Sequence, residues 1–188
     1  SYLKNSYLCF KHISSEDSAY TNVATNTKDS FDLAYSRNPE LCYEIVDCHG
    51  CFQVFFSQDC EGCQNVYFSR DLVNCSNCFG CTSLRNKSYC LFSEQLTKEE
   101  YEKRLKELNL GSSKKIKELR AEAYEHSLKY PRRVIQGKNN VNVSGDYINN
   151  CRNAHQVYFV NNSEDVKYTQ LYINGSTKTS YDFHRSNR

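Results

Sequence analysis

Residues 48–59 read CHGCFQVFFSQD and residues 60–71 read CEGCQNVYFSRD, so two twelve-residue units stand in tandem and match at most positions. A third copy, CRNAHQVYFVNN, occupies residues 151–162. A fixed short period is typical of a solenoid, in which each coil contacts only its neighbours. The repeat therefore decides the predicted architecture.

Each unit contains a short apolar run bounded by turn-forming residues, at 53–57, 65–69 and 156–160. Such runs of β-branched and aromatic residues favour strands over helices. Two units per coil would give a mainly β protein, a parallel β-helix with about 24 residues per coil. An Asp or Asn before a small residue suits a tight corner, and the Ser or Cys that follows is expected to point inward.

A helical pattern interrupts the repeat between residues 94 and 133. Thr97 and Glu100 form a capping box, Gly111 is predicted to end a first helix, and Pro131 ends a second. Apolar residues recur at helical spacing in two stripes: Tyr101, Leu105 and Leu108, then Ile116, Leu119 and Ala123. We predict one continuous domain with solenoid coils over 1–93, an inserted helical hairpin packed on the solenoid over 94–133, and further coils over 134–188.

Composition limits the partners and the compartment. A net charge of +2 is too small to indicate nucleic acid or an anionic membrane. No apolar run approaches the length of a membrane span, and residues 1–20 lack the pattern of a signal peptide. The odd number of 11 cysteines favours a reducing compartment, so we predict a cytoplasmic protein. Because the chain starts without methionine, we expect it to be part of a longer one.

The cysteines form the main chemical constellation of the sequence. C-x-x-C is the usual half-site of tetrahedral zinc, and the candidate ligands are Cys48, Cys51, Cys60, Cys63, Cys75, Cys78 and Cys81. With 24 residues per coil, the second C-x-x-C pair would lie half a coil from the first, and a site would form more easily between Cys51 and Cys75. The favoured alternative is a ladder of buried small residues, because Ser18, Ser30 and Ser163 stand at equivalent positions. Disulfides are the third interpretation.

Two other sets of residues are weaker candidates. His49 lies beside cysteines and is either a lone ligand or, as we favour, a turn residue. Asp47, Asp59 and Asp71 could form a row of carboxylates, as in β-helical polysaccharide-cleaving enzymes. Corner residues with side-chain turn bonds explain the same spacing more simply. No phosphate-binding loop or nucleophile motif is present.

Residues 74–108, NCSNCFGCTSLRNKSYCLFSEQLTKEEYEKRLKEL, and residues 144–153, SGDYINNCRN, resemble a family of uncharacterised cysteine-rich proteins of candidate-phyla bacteria. The resemblance extends from about residue 15 to the end. Members of that family carry zinc-ribbon segments, then C-x-x-C repeats, a helical insertion and more repeats. The resemblance implies a repeat scaffold with an upstream zinc-binding segment, and it implies no activity. Ala154 replaces the second cysteine of the later pair, which departs from the pattern.

We predict a non-catalytic structural or interaction scaffold. Its flat wall would bind a protein or glycan partner, and its open coil ends would allow self-association. The alternative is a zinc-binding module that acts with the upstream zinc-ribbon segment on nucleic acid, with zinc as the cofactor. A β-helical carbohydrate-active enzyme is the third hypothesis, and it requires carboxylates that converge in a groove.

Overall fold

The computed structural model of the chain describes residues 2–10, 14–132, 137–138, 141–149 and 157–161. The chain divides into two units, Ser1–Tyr130 and Pro131–Arg188. The strands of the first unit are β1 (Tyr2–Lys4), β2 (Tyr7–Phe10), β3 (Ser14–Glu16), β4 (Ala19–Asn22), β5 (Thr27–Lys28), β6 (Phe31–Ala34), β7 (Tyr43–Val46), β8 (Phe52–Glu61), β9 (Gln64–Tyr67), β10 (Arg70–Val73), β11 (Ser76–Phe79), β12 (Thr82–Arg85), β13 (Ser88–Leu91) and β14 (Glu94–Gln95).

The parallel strands of the first unit pair in a constant register of twelve residues. Ile45 lies opposite Ser57, Phe55 opposite Tyr67, and Tyr67 opposite Phe79. One coil therefore contains twelve residues, and the prediction of about 24 is wrong. The mainly β solenoid with two helices is confirmed, and it makes about seven turns.

The short coil results from a corner at every third residue. In one coil the backbone has positive φ at Asp47 (50°), Gly50 (60°), Gln53 (53°) and Phe56 (52°), and the next coil repeats this spacing. Each left-handed residue turns the chain, so that four corners complete a coil within twelve residues. Asp, Asn and Gly tolerate this geometry, whereas bulky residues rarely adopt it. Because Phe is not a residue type that indicates such a corner, the sequence analysis placed residues 53–57 in one straight strand and missed the corner at Phe56.

The residue after most corners is buried, so the core consists of four columns of mostly small side chains. The columns are Ala24, Ser36, Cys48, Cys60 and Leu72; Ser15, Thr27, Pro39, Cys51, Cys63 and Cys75; Ser18, Ser30, Cys42, Val54, Val66, Cys78 and Cys90; and Thr21, Leu33, Ile45, Ser57, Ser69 and Cys81. This arrangement confirms the prediction that the Ser and Cys residues after corners point inward and stack.

Two helices follow the coils, α1 (Lys98–Glu107) and α2 (Ser113–Ser127). The predicted capping box is present: Thr97 Oγ1 accepts a hydrogen bond from the backbone N–H of Glu100 at 3.3 Å, and the Glu100 carboxylate accepts one from the Thr97 backbone N–H at 3.0 Å. The predicted stop at Gly111 is wrong. Asn109, with φ of 49°, already takes the left-handed position after the C-cap Leu108. Neither helix is long and apolar enough to cross a membrane.

The described part of the second unit contains β15 (Gly137–Lys138), β16 (Gly145–Asn149) and β17 (Val157–Asn161), which form a parallel sheet. Gly145 lies opposite Val157, again twelve residues apart. The strand predicted at 156–160 coincides with β17. Cys151, Ala154 and Ser163 lie outside the described residues, and the assignment of both units to one continuous domain stays a prediction.

Candidate functional site

The twelve-residue coil brings the two C-x-x-C pairs together in adjacent coils. The side chain of Cys48 interacts with those of Cys51 and Cys60, and the side chain of Cys63 interacts with the same two residues. We call these four residues the thiol quartet. The prediction that the second pair would lie half a coil from the first is wrong, because it assumed a coil of twice the real length. Cys75 is buried one coil beyond Cys63, while Cys78 contacts Cys81 and Cys90.

The buried thiols donate hydrogen bonds to backbone carbonyl groups. The Sγ of Cys63 lies 3.4 Å from the Glu61 oxygen and 3.6 Å from that of Leu72. Ser69 makes the equivalent bond, since its hydroxyl donates to the carbonyl oxygen two residues earlier at 2.8 Å. Serine and cysteine thus have the same role in the columns, as the ladder interpretation requires.

Burial favours the neutral form of several of these thiols. Burial raises the pKa of both Cys42 and Cys90 to about 11. Within the quartet, hydrogen bonds with neighbouring thiols raise the pKa of Cys51 and of Cys60, whereas those from Cys51 and Cys60 lower the pKa of Cys63. Burial raises the pKa of Cys48, but hydrogen bonds with Cys51 and Cys60 outweigh it, so that the net pKa of Cys48 is lowered like that of Cys63.

Four cysteine thiols are a donor set that zinc accepts, and here each Sγ atom lies within hydrogen-bond distance of a backbone carbonyl oxygen. Across the described part of the chain, no group of three or more His, Cys, Asp or Glu side chains is arranged to hold a metal ion. The ten cysteines within that part are free thiols. Zinc binding by the cysteines named from the sequence stays a prediction that metal analysis can test.

The carboxylates of Asp47, Asp59 and Asp71 stand at equivalent corners of successive coils, as a catalytic row would require. Each has a basic partner: His49 Nε2 lies 3.1 Å from Asp47, Arg70 Nε 3.4 Å from Asp59, and Arg85 Nη2 2.6 Å from Asp71. All three aspartates also have positive φ. They are corner residues, and each carboxylate lies beside a basic side chain, which for Asp59 and Asp71 is an arginine in an ion pair.

One side of the first unit carries a row of apolar residues, all of them large except Ala19. The residues in register along it are Tyr7, Ala19, Phe31, Tyr43, Phe55, Tyr67, Phe79 and Leu91. We call this row, with the residue that follows each member, the aromatic face. Stacked rings connect its coils: Phe55 and Tyr67 have centroids 5.2 Å apart, and Phe56 and Phe68 lie 4.8 Å apart with an interplanar angle of 4°.

The helical hairpin covers the C-terminal half of the aromatic face. Tyr101, Leu119 and Ala123 of the hairpin are buried in one cluster with Phe68, Phe79 and Leu91 of the coils. Arg120 marks the border of this half. Its Nη1 lies 2.9 Å from Glu44 Oε2, and its guanidinium stands 5.6 Å from the centroid of the Phe56 ring.

The N-terminal half of the same face is open. Tyr7, Tyr20 and Phe31 remain 63 %, 55 % and 44 % exposed. The rings of Tyr7 and Tyr20 meet edge to face at 5.9 Å, and the exposed Asp32 lies next to Phe31. The sequence analysis predicted a flat binding surface but did not assign it to particular residues. The recurrence of an aromatic residue every twelve positions, at Tyr43, Phe55, Tyr67 and Phe79, could have located this face.

Comparison with known proteins gives no relative for this surface. A scan against protein-family models gave no match for the chain, and a search of curated proteins gave none either. The role of the aromatic face is therefore inferred from its geometry and chemistry.

Proposed function

We propose that this protein is a non-catalytic interaction scaffold whose open half of the aromatic face binds a helix of a protein partner. One observation carries this proposal: the row of large apolar side chains extends from the half that the hairpin covers into the exposed half, where Phe31, Tyr20 and Tyr7 continue it on both sides of the small Ala19. Exposed apolar patches of this kind typically mark interaction sites.

The arrangement of the reactive groups supports a non-catalytic role. The described thiols from Cys42 to Cys90 are buried and, in the quartet, bonded to backbone carbonyls, so a substrate would not reach them. Each of the aligned carboxylates lies beside a basic side chain at its corner, and those of Asp59 and Asp71 form ion pairs with arginine. Catalysis by acid and base requires groups that are free to exchange protons with a bound substrate.

The covered half shows which ligand chemistry this face accepts. It packs against the apolar stripes of two amphipathic helices, and a cation at the helix edge sits between a carboxylate and an aromatic ring. The open half offers the same combination, with Tyr20 and Phe31 as rings and Asp32 as carboxylate. An amphipathic helix with Arg or Lys beside its apolar stripe therefore fits the open half.

A binding assay on the full chain tests this function. The ligands are an amphipathic helical peptide with Arg beside its apolar stripe, the same peptide with Glu in place of Arg, and a set of soluble oligosaccharides. We expect the Arg peptide to bind saturably and to lose about tenfold in affinity to the Tyr20→Ser variant. Phe10→Ser is the matched control, because Phe10 is 60 % exposed but lies outside the aromatic face.

The outcomes separate the partner classes. Binding of an oligosaccharide, with none of either peptide, would identify a glycan surface and contradict the helix proposal. Equal binding to the Tyr20→Ser variant and to the wild type would place the site elsewhere.

A further inference from the structure

Every glycine among the first 93 residues lies in the same four-residue motif. The motif is C-x-G-C, and it occurs at residues 48–51, 60–63 and 78–81. Its glycines are corners with positive φ, Gly50, Gly62 and Gly80. The corner itself does not require glycine, because Asn has positive φ at the same corner as Gly50 in four other coils, at Asn26, Asn38, Asn74 and Asn86. Glycine takes that corner only in the two described coils in which a cysteine stands on both of its sides.

The two thiols of each motif interact below the glycine. Both cysteines of a pair are buried, and they point inward from adjacent sides of one coil, so that their Cβ atoms converge. Side-chain interactions join Cys48 to Cys51, Cys60 to Cys63, and Cys78 to Cys81. C-x-x-C is also the spacing of the cysteine pairs that undergo dithiol–disulfide exchange in thioredoxin-like proteins. The coils therefore bring three dithiol pairs of this spacing into contact.

We propose that Cys48 and Cys51 are a redox site, in which a low-molecular-weight disulfide oxidises the two thiols to a disulfide across the Gly50 corner. The site lies in the core of the coils, and it does not rest on the proposed function of the aromatic face. In a reducing compartment, a disulfide of this kind is usually transient and acts in catalysis or redox sensing. The scaffold would then have a second covalent state, set by the surrounding balance of thiol and disulfide.

The stacking of the coils favours a bond within one coil over a bond between coils. Cys48 lies in register with Cys60, since the residues that follow them, His49 and Glu61, are bridge partners. Cβ atoms that stack in register on parallel strands stay as far apart as the strands, about 4.7–4.9 Å. A disulfide joins Cβ atoms about 3.5–4.5 Å apart. A bond between Cys48 and Cys60 would therefore pull two coils together, whereas Cys48 and Cys51 already converge.

Gly50 is the least covered of the three glycine corners. It is exposed, and no described atom lies within 4 Å of a Cβ built on it. At Gly62 such a Cβ would lie 2.6 Å from Asn74 Oδ1, and at Gly80 it would lie 2.7 Å from the Phe92 ring. Because the thiols are buried, a reagent reaches them only after a transient local opening of the coil. A bare corner opens more easily than one on which a neighbouring side chain packs, so Cys48 and Cys51 should react first.

The exchange conserves atoms and electrons with the small disulfide as the oxidant. The Cys48 sulfur, as thiolate, attacks one sulfur of the reagent, whose S–S bond breaks and whose other half leaves as a thiol. The Cys51 sulfur then attacks the Cys48 sulfur of this mixed disulfide and releases the second reagent thiol. The two thiol protons of the protein end on the two released thiols, and two electrons reduce the reagent. Although burial raises the pKa of Cys48, interactions with Cys51 and Cys60 lower it overall, which favours Cys48 as the attacking sulfur.

Exposure of the reduced full chain to oxidised glutathione without denaturant tests the site. Mass spectrometry of the intact chain should show a first product about 2 Da lighter, because two hydrogen atoms leave. After alkylation of the remaining thiols, chymotrypsin separates the motifs at 48–51 and 60–63, because it cleaves after the intervening Phe52, Phe55 and Phe56. We expect the disulfide within the single peptide that contains residues 48–51.

Two variants test the roles of the corner and of the second thiol, and circular dichroism confirms that each keeps its fold. Gly50→Asn introduces the residue that other coils carry at this corner, and it should slow the first oxidation about tenfold. Cys51→Ser should hold one glutathione on Cys48 as a mixed disulfide, because the thiol that resolves it is missing. Cys78→Ser is the matched control, since it removes one thiol of another motif and should leave the rate at 48–51 unchanged.

The inference would be overturned by a first disulfide that links two motifs, or by a first disulfide at 60–63 or 78–81. Glutathione held on a residue other than Cys48 in the Cys51→Ser variant would also overturn it, as would equal oxidation rates for the wild type and Gly50→Asn. So would a chain that resists oxidation until denaturant is added. Peptide binding at the aromatic face is measured separately, so that either proposal can fail while the other stands.

Discussion

The double substitution Cys51→Ser and Cys63→Ser distinguishes a ladder of small residues from a metal centre. In the ladder, each thiol donates to backbone carbonyls, with Sγ of Cys63 at 3.4 and 3.6 Å from its two acceptors. The hydroxyl of Ser69 makes the same bond at 2.8 Å. A serine at either position can therefore replace the lost bond with one worth about 0.5–1.5 kcal/mol net.

The expected cost is small because only the greater apolar character of sulfur is lost. We expect the double variant to lose about 1–2 kcal/mol of unfolding free energy and to keep its β circular dichroism. If the quartet held zinc, the same change would remove two of four ligands and most of a metal-binding free energy of about 10–16 kcal/mol, so the coils would unfold.

Ser69→Ala is the matched control. Its hydroxyl donates to the Tyr67 carbonyl at 2.8 Å and accepts from the Cys81 backbone N–H at 3.0 Å, so alanine leaves a buried donor without a partner. Such a group costs about 1–3 kcal/mol. One lost hydroxyl should therefore destabilise the chain at least as much as two Cys→Ser changes.

The assay is a denaturant titration followed by circular dichroism, in reducing buffer with and without chelator, together with metal content by mass spectrometry. The reasoning predicts equal midpoints with and without chelator. About one zinc per chain, or a loss above about 5 kcal/mol in the double variant alone, would refute the ladder and support the metal centre.

Three further predictions concern single sites. Tyr101→Phe should raise the unfolding free energy by about 1 kcal/mol, because its buried hydroxyl has no hydrogen-bond partner among the described residues, and a lower denaturation midpoint would contradict this. Gly80→Ala should lower the unfolding free energy by about 2–3 kcal/mol, because φ is +63° and the added Cβ would lie 2.7 Å from the Phe92 ring. Gly50→Ala is the control, since φ is +60° but the added Cβ would enter open space, and it should cost only about 1 kcal/mol. The unfolding free energy should fall as pH rises from 9.0 to about 11, because the Cys42 thiol ionises in that range in the unfolded chain but keeps its proton in the folded one. Cys42→Ser should remove part of this loss. A pH profile that the substitution leaves unchanged would contradict the raised pKa of Cys42.

The fold was predictable as far as the sequence marks its corners. Asp47, Gly50 and Asp59 are of residue types that favour a left-handed turn, and their spacing supported the prediction of a solenoid. Gln53 and Phe56 take the same backbone conformation, but their residue types do not indicate it. Because these two corners were missed, the predicted coil was twice as long as the real one. A second signal was available: a small or branched residue recurs at every third position through Cys48, Cys51, Val54 and Ser57, which requires four sides per coil.

The candidate site was less predictable, because it depends on what covers the aromatic face. The helical stripes, the capping box and the inward cysteines follow from local patterns. Which half of the face the hairpin covers depends on tertiary contacts such as that between Arg120 and Glu44, which no periodicity indicates. The same limit explains the thiol quartet, whose geometry changes entirely when the coil contains twelve residues and not 24.

The twelve-residue coil also explains why the outer columns carry the functional differences. Most of the four inward positions in a coil hold small side chains, and Ser and Cys exchange there without changing the bonds that they make. The outer columns diverge instead. On one side of the solenoid, charged side chains of adjacent coils pair with each other: Lys4 pairs with Glu16, and Lys28 Nζ lies 3.5 Å from Glu40 Oε1. On the aromatic face the rings stack between coils but keep their outer surface free in the N-terminal half, and this is the side that can gain most by binding another chain.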